Sequence, residues 1–346
     1  MRRIRRPSPD RGTAAPRPAR WRRPAVPLTL LGLGTFLLVL APLLAWYVTP
    51  RAAVNPVAVD TTAVYTGRGS VLDTGRIATV PNRRITVVQR VRGDVRDSER
   101  GGAAVWDVTT TVDTGAAAPV PDPHGALEFT RTRWVMDRRT TAPVHCCGEH
   151  PAIEAEAYLK FPFDVRKRSY RWWDESLGAA VTLRYGGPER VRGYTGYRFT
   201  GTVPPARVGT RLVPGRLVGR ARTPWVLAEE WYANHGVELV VDRRTGRVLR
   251  AQVGPRRTLR APGGRKDAVV LLDSRRLTST IPTQRAAVRQ AERDNERLRA
   301  VGETLPRGAA VAGGVLTVAG ALLLALGGRG GRRSGTPGGS RPVLTE

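Results

Sequence analysis

The chain has 346 residues and carries 57 Lys+Arg against 29 Asp+Glu, a net charge of +28. That length allows one large domain or two ordinary ones, and a hydrophobic content of 41% excludes a disordered polyelectrolyte. Two cysteines exclude a disulfide-stapled scaffold, while the near-total use of Arg over Lys is the mark of a GC-rich genome and inflates the charge without a nucleic-acid ligand.

Residues 1–24 hold nine Arg and one Asp with almost no apolar periodicity, and read as a disordered basic cytoplasmic tail. Residues 25–49 carry no charge. The run is long enough to cross a bilayer at about 1.5 Å per residue. It exceeds the roughly 7–15 residues of a secretory h-region, so a retained transmembrane helix is expected. Trp46 and Tyr47 stand at its outer end, where aromatic side chains favour the interface.

Residues 50–282 read as an extracytoplasmic β-rich domain. Arg84–Arg92 alternates, with Ile85, Val87, Gln89 and Val91 on one face, and ends at Gly93-Asp94. Ala103–Asp113 and Ala126–Met136 continue the strand pattern. Next comes the densest polar group, His145-Cys146-Cys147-Gly148-Glu149-His150. Outside the cytoplasm a vicinal disulfide between Cys146 and Cys147 is chemically natural. Buried thiols, an intermolecular bond, a metal site of His145, Cys146, Cys147 and His150, and redox chemistry are the alternatives.

An aromatic, Pro-punctuated stretch follows, with Tyr158, Phe161, Phe163, Tyr170, Trp172 and Trp173. These side chains either pack the core or line an apolar groove for a lipid chain. Ala179–Tyr185, Tyr194–Val203 and Val237–Val241 add strands, and Pro224–His235 reads as a short helix or an edge strand. The run Trp134-Val-Met-Asp-Arg-Arg-Thr is echoed by Leu239-Val-Val-Asp-Arg-Arg-Thr. Each reads as a β-hairpin, a strand entering the turn and another apolar run following it.

Residues 283–306 read as a juxtamembrane stalk helix with few apolar positions and i,i+3 Arg/Glu pairs. Residues 307–328 form the second uncharged run past Arg307, a second transmembrane helix. Residues 329–346, with four Arg and one Glu, read as a disordered cytoplasmic tail. Basic flanks on both runs place both termini in the cytoplasm of a two-pass plasma-membrane protein, with the central domain extracellular.

The fold expected is therefore a mainly β external domain, a curved antiparallel sheet or open barrel with few helices, anchored by an N-terminal and a C-terminal transmembrane helix. The sequence has no G-x-S-x-G, H-E-x-x-H or P-loop motif. Acid pairs such as Glu229-Glu230, or Asp164 with Asp174, read as solvated surface. No enzyme, catalytic residue or cofactor is expected.

The Lys160-Phe-Pro-Phe-Asp164 stretch with Tyr170 and Trp173-Asp174, the Asp137-Arg-Arg-Thr turn and the Cys146-Cys147-Gly-Glu149 step together resemble the actinobacterial DUF3068 proteins, also called the porin PorA family. The resemblance spans about residues 25–330. It implies a cell-envelope protein associated with envelope biogenesis and brings no catalytic residues. The function expected is non-catalytic: binding or transfer of a lipid or lipid-linked envelope component, or scaffolding of envelope assembly. A porin or channel subunit acting as an oligomer is the alternative. Expected partners are membrane lipids or anionic envelope components and a homo-oligomer, with no nucleic acid.

Overall fold

The computed structural model describes residues 25–73, 75–114 and 126–329. The tails expected at 1–24 and 329–346 lie outside these, apart from Arg329, which ends a helix. The chain divides into two units. One is Ala45–Thr304, and the other joins the chain up to Leu44 to the chain from Leu305 onward.

The second unit is a pair of apolar helices, α1 (Ala25–Leu43) and α5 (Leu305–Arg329). Small residues set how they pack. A Cβ added at Gly34 would fall on Thr317, one at Gly313 would come within 2.9 Å of the Leu38 backbone N, and one at Gly320 within 2.8 Å of that of Leu31. The backbones therefore approach closely without side chains between them. Larger apolar side chains such as Phe36, Val39, Val311 and Val315 point outward and are exposed. Both helices are long and apolar enough to cross a membrane. A short π-helical turn, Leu44–Val48, follows α1 and leads into α2 (Thr49–Ala52).

The larger unit is built on ten strands: β1 (Asp60–Asp73), β2 (Ala78–Gly93), β3 (Ala104–Thr114), β4 (Glu128–Met136), β5 (Tyr170–Asp174), β6 (Ala179–Val191), β7 (Tyr194–Pro214), β8 (Trp225–Val241), β9 (Val248–Arg260) and β10 (Val269–Ser279). They form one antiparallel sheet in the order β4-β3-β2-β1-β10-β9-β8-β7-β6-β5. Chain neighbours are sheet neighbours, and β1 pairs with β10, with Tyr65 opposite Ser279. The one break in this cycle falls between β4 and β5, so the sheet is open. Helix α3 (Val95–Gly101) lies between β2 and β3, its first turn capped by the Asp94 carboxylate accepting from the Asp97 N–H.

Two segments differ from the sequence reading. Pro224–His235 enters β8, an inner strand, not a helix or an edge. The pair Glu229-Glu230 suggests a helix in isolation. In the sheet, Glu230 is buried and meets Arg211 at 3.1 Å on β7 and Arg257 at 3.5 Å on β9, so cross-strand pairing overrides local preference. Helix α4 (Ile281–Arg299) begins two residues before the expected stalk and is docked, not free. Gln284, Val288, Ala291 and Asn295 make a buried stripe, with Val288 and Ala291 against Val191, Val240 and Leu249. A π-helical turn, Ala300–Thr304, ends this unit.

The two Asp-Arg-Arg-Thr turns share one device. Asp137 Oδ1 accepts from the Thr140 N–H at 2.7 Å, and Asp242 Oδ2 from the Thr245 N–H at 2.8 Å. The second closes the β8–β9 hairpin. The first begins a long strap, residues 137–169, that crosses the break in the sheet. His150 exchanges backbone hydrogen bonds with Arg133 on β4, and the Trp173 N–H on β5 donates to the Ala157 carbonyl at 2.9 Å. The strap is thus tied to both free edges.

Candidate functional site

Side chains from β1–β4 and from β8–β10 line a single cavity of about 230 Å³, which requires the sheet to curl round on itself. The wall is largely aliphatic: Val87, Val112, Val237, Leu239, Val253 and Leu277 all contribute. Period-two alternation brings them there. On β9 the residues Ala251, Val253, Pro255 and Arg257, spaced by two, all face the cavity.

The polar lining is linked into one cluster. Asp174, at the end of β5, accepts from the Tyr232 hydroxyl at 3.0 Å and from the Ser176 and Leu177 N–H groups, each at 3.0 Å. Asn234 donates to that same Tyr232 oxygen at 3.1 Å. Glu175 accepts from Thr130 at 2.8 Å and from Tyr158 at 3.4 Å. Arg257 joins Glu128 at 2.6 Å and donates to Ser176 Oγ at 3.0 Å. Burial raises the pKa of both Asp174 and Glu175, opposed in each by hydrogen bonds. Burial also raises the phenols of Tyr158 and Tyr232, and that of Tyr65 to about 12.

Three of the six aromatics singled out in the sequence line this cavity: Tyr158, Trp172 and Trp173. Phe161 and Tyr170 are core instead. Phe161 is fully buried, with its ring centroid 5.1 Å from that of Tyr170 and 4.8 Å from that of Phe199. Phe163 stacks under the Lys160 ammonium at 3.9 Å. That ammonium also donates to Asn55 Oδ1 at 2.5 Å, and burial pushes its pKa down to about 7.

The cysteine step lies elsewhere. Cys146 and Cys147 are joined to each other and pack against Ala103, Val105 and Val135. His145 pairs with Glu149 at 2.7 Å, which raises its pKa. His150 serves the strap through its backbone. Among the described residues no group of three or more His, Cys, Asp or Glu is placed to hold a metal ion.

Sequence reasoning did not single out Glu128, Glu175, Tyr232 or Arg257, and read Asp174 as surface. One signal was available: Arg257 interrupts the apolar phase of β9, where an alternating strand places its inward side chains.

The Porin PorA family model matches residues 26–322 of this chain. No curated protein matches it.

Proposed function

Because the chain belongs to the Porin PorA family, we propose that it is a non-catalytic, two-pass protein of the cell envelope whose sheet unit, outside the plasma membrane, holds the hydrocarbon of an amphiphilic lipid. The observation that carries this reading is an apolar cavity inside the sheet with its ionisable groups gathered in one cluster. An alkyl chain transferred from water into such a wall gains about 0.8 kcal/mol per methylene. The cluster then sorts head groups. It offers the carboxylates Glu128, Asp174 and Glu175 against one guanidinium, Arg257, already engaged by Glu128. Such a site favours a head rich in hydroxyl or ammonium donors and repels a phosphate or carboxylate. The orientation proposed, both termini cytoplasmic, rests on the arginines flanking the two apolar runs.

Native mass spectrometry of the detergent-purified full chain, with lipid extraction from the same sample, tests the reading. A single lipid retained at fixed stoichiometry supports it, and a lipid-free protein that takes up no added amphiphile overturns it.

A channel-forming oligomer is the second reading, favoured by the family itself. Exposed sheet positions carry ion pairs such as Arg90–Asp60, where a membrane barrel presents apolar side chains to lipid. A pore would therefore be lined by α1 and α5 from several copies. Gly313 and Thr317, small residues suited to helix association, already contact α1 within the chain. Conductance of the purified protein in planar bilayers decides this reading.

A further inference from the structure

We propose that the end of the sheet opposite α4 is a docking surface for an anionic lipid bilayer. β8 runs 17 residues from Trp225 to Val241, about 55 Å at about 3.3 Å per residue, and α4 packs near its far end. At the near end three connections meet: β1 to β2, β7 to β8 and β9 to β10. They form one surface. Thr79 Oγ1 donates to the Val270 carbonyl at 3.0 Å, and Val213, Val218, Ala228 and Leu259 make a small core beneath, with Leu217 and Val269 against it.

Three large apolar side chains stand exposed there. Leu212, Trp225 and Leu227 are 62%, 61% and 55% accessible. Leu212 lies opposite Leu227, and Pro214 opposite Trp225, so the three share one face of the hairpin. Around them the connections carry Arg76, Arg216, Arg220, Arg222, Arg265 and Lys266, all exposed.

The nearby acids are engaged elsewhere. Asp73 accepts from the backbone N–H groups of Gly75 and Arg76, Asp267 holds Arg256 and Arg260, and Glu229 accepts from Trp231 and the Gly263 N–H. Among the described residues no carboxylate pairs with any of the six cations. Exposed Trp and Leu set within unpaired Arg is the composition that sits at an anionic headgroup layer. The indole and aliphatic groups enter the headgroup–acyl boundary while the guanidiniums meet phosphates. This surface is separate from the cavity and its carboxylates, so it stands whether or not the cavity holds lipid.

The test uses the full chain in nanodiscs of zwitterionic phosphatidylcholine, floated with vesicles of phosphatidylcholine alone or mixed with phosphatidylglycerol. The nanodisc-held protein is expected to float with the anionic vesicles only, and less so at high salt. Arg220→Gln with Arg222→Gln is expected to weaken capture roughly 30-fold, each charge counting about fivefold. Trp225→Ala with Leu227→Ala weakens it too, with the charge intact. All four positions are exposed, so both variants keep the wild-type melting temperature. Equal capture by neutral vesicles, or capture unchanged in the Arg variant, overturns the proposal. So does binding of soluble dextran sulfate that matches vesicle binding and is indifferent to the Trp225/Leu227 variant, since the surface would then read a polyanion and not a bilayer.

Discussion

The hydroxyl of Tyr232 on β8 donates to the carboxylate of Asp174 at 3.0 Å, across 58 residues of chain. The bond ties β5, at the open edge, to a strand in the middle of its half of the sheet. Burial raises the pKa of Asp174, so the folded state holds its proton to higher pH than the unfolded chain does. From this group, stability gains as pH falls from the raised value toward 3.8 and is penalised above it. Asp174→Asn is expected to remove that slope, seen as the difference between variant and wild-type melting curves taken from pH 4 upward. Tyr232→Phe leaves both Asp174 and Asn234 a partner short and is expected to cost about 1–3 kcal/mol.

Arg133 gathers three carboxylates: Asp94 at 2.9 Å, Asp97 at 2.8 Å and Asp107 at 2.9 Å. The Arg133 side chain is 23% exposed, so screening is partial. Arg133→Leu strands three like charges together, and a loss of about 3 kcal/mol is expected in thermal or denaturant unfolding. Arg133→Lys should rescue little, because a point charge does not span three acceptors. The Asp97 backbone N–H, and then Arg133, hold Asp94 below its usual pKa of 3.8. The stability it contributes is present above that pH and is lost as pH falls through the lowered value.

Ala251 lies on the cavity wall and is buried. Ala251→Phe is expected to fill the space and abolish retained lipid in the mass spectrum, at a cost of about 1–3 kcal/mol from overpacking. Val237→Ala enlarges the same space and is expected to keep the lipid. Loss of lipid in both variants, or in neither, would count against the cavity as its site.

Gly34 and Gly313 let α1 and α5 touch through their backbones. Gly34→Leu is expected to drive the helices apart. Spin labels at the outward-facing Val39 and Val311 report on this: their separation should be narrowly distributed in the parent chain and longer and broader beside Gly34→Leu.

The described disulfide predicts that an alkylating reagent adds nothing to the folded, unreduced protein and two groups after reduction. Addition without reductant would show free thiols.

Both apolar helices were legible because a run without charge has few other uses. The strands β2, β3 and β4 were legible through β-branched alternation. β1 and β10 were not, and β9 was legible only as the arm after the second Asp-Arg-Arg-Thr turn; the reasons are local. Gly67 and Gly69 dilute the pattern of β1, yet each sits where a Cβ would strike a β10 carbonyl, of Arg276 and Asp273 respectively. Gly254-Pro255 looks like a turn, but it falls where the β8–β9 register shifts between Asn234 and Val237, and Asn234 Oδ1 accepts the Gly254 N–H at 2.9 Å. The aromatic stretch was visible as a group. Its division into core and cavity depends on how the strap crosses the sheet, and no local pattern encodes that.

The pairing of β1 with β10 has a mechanical consequence. Both tethers of the sheet unit enter at neighbouring central strands, while its two rims, β4 and β5, carry no tether. The rims are held together by the strap, by Thr130 donating to Glu175 at 2.8 Å and by the packing of Trp173 with Trp134, and none of these involves the paired strands that carry the load. Widening the mouth to admit or release a guest then costs strap and rim contacts while β1 stays paired with β10, so anchoring and loading are mechanically decoupled.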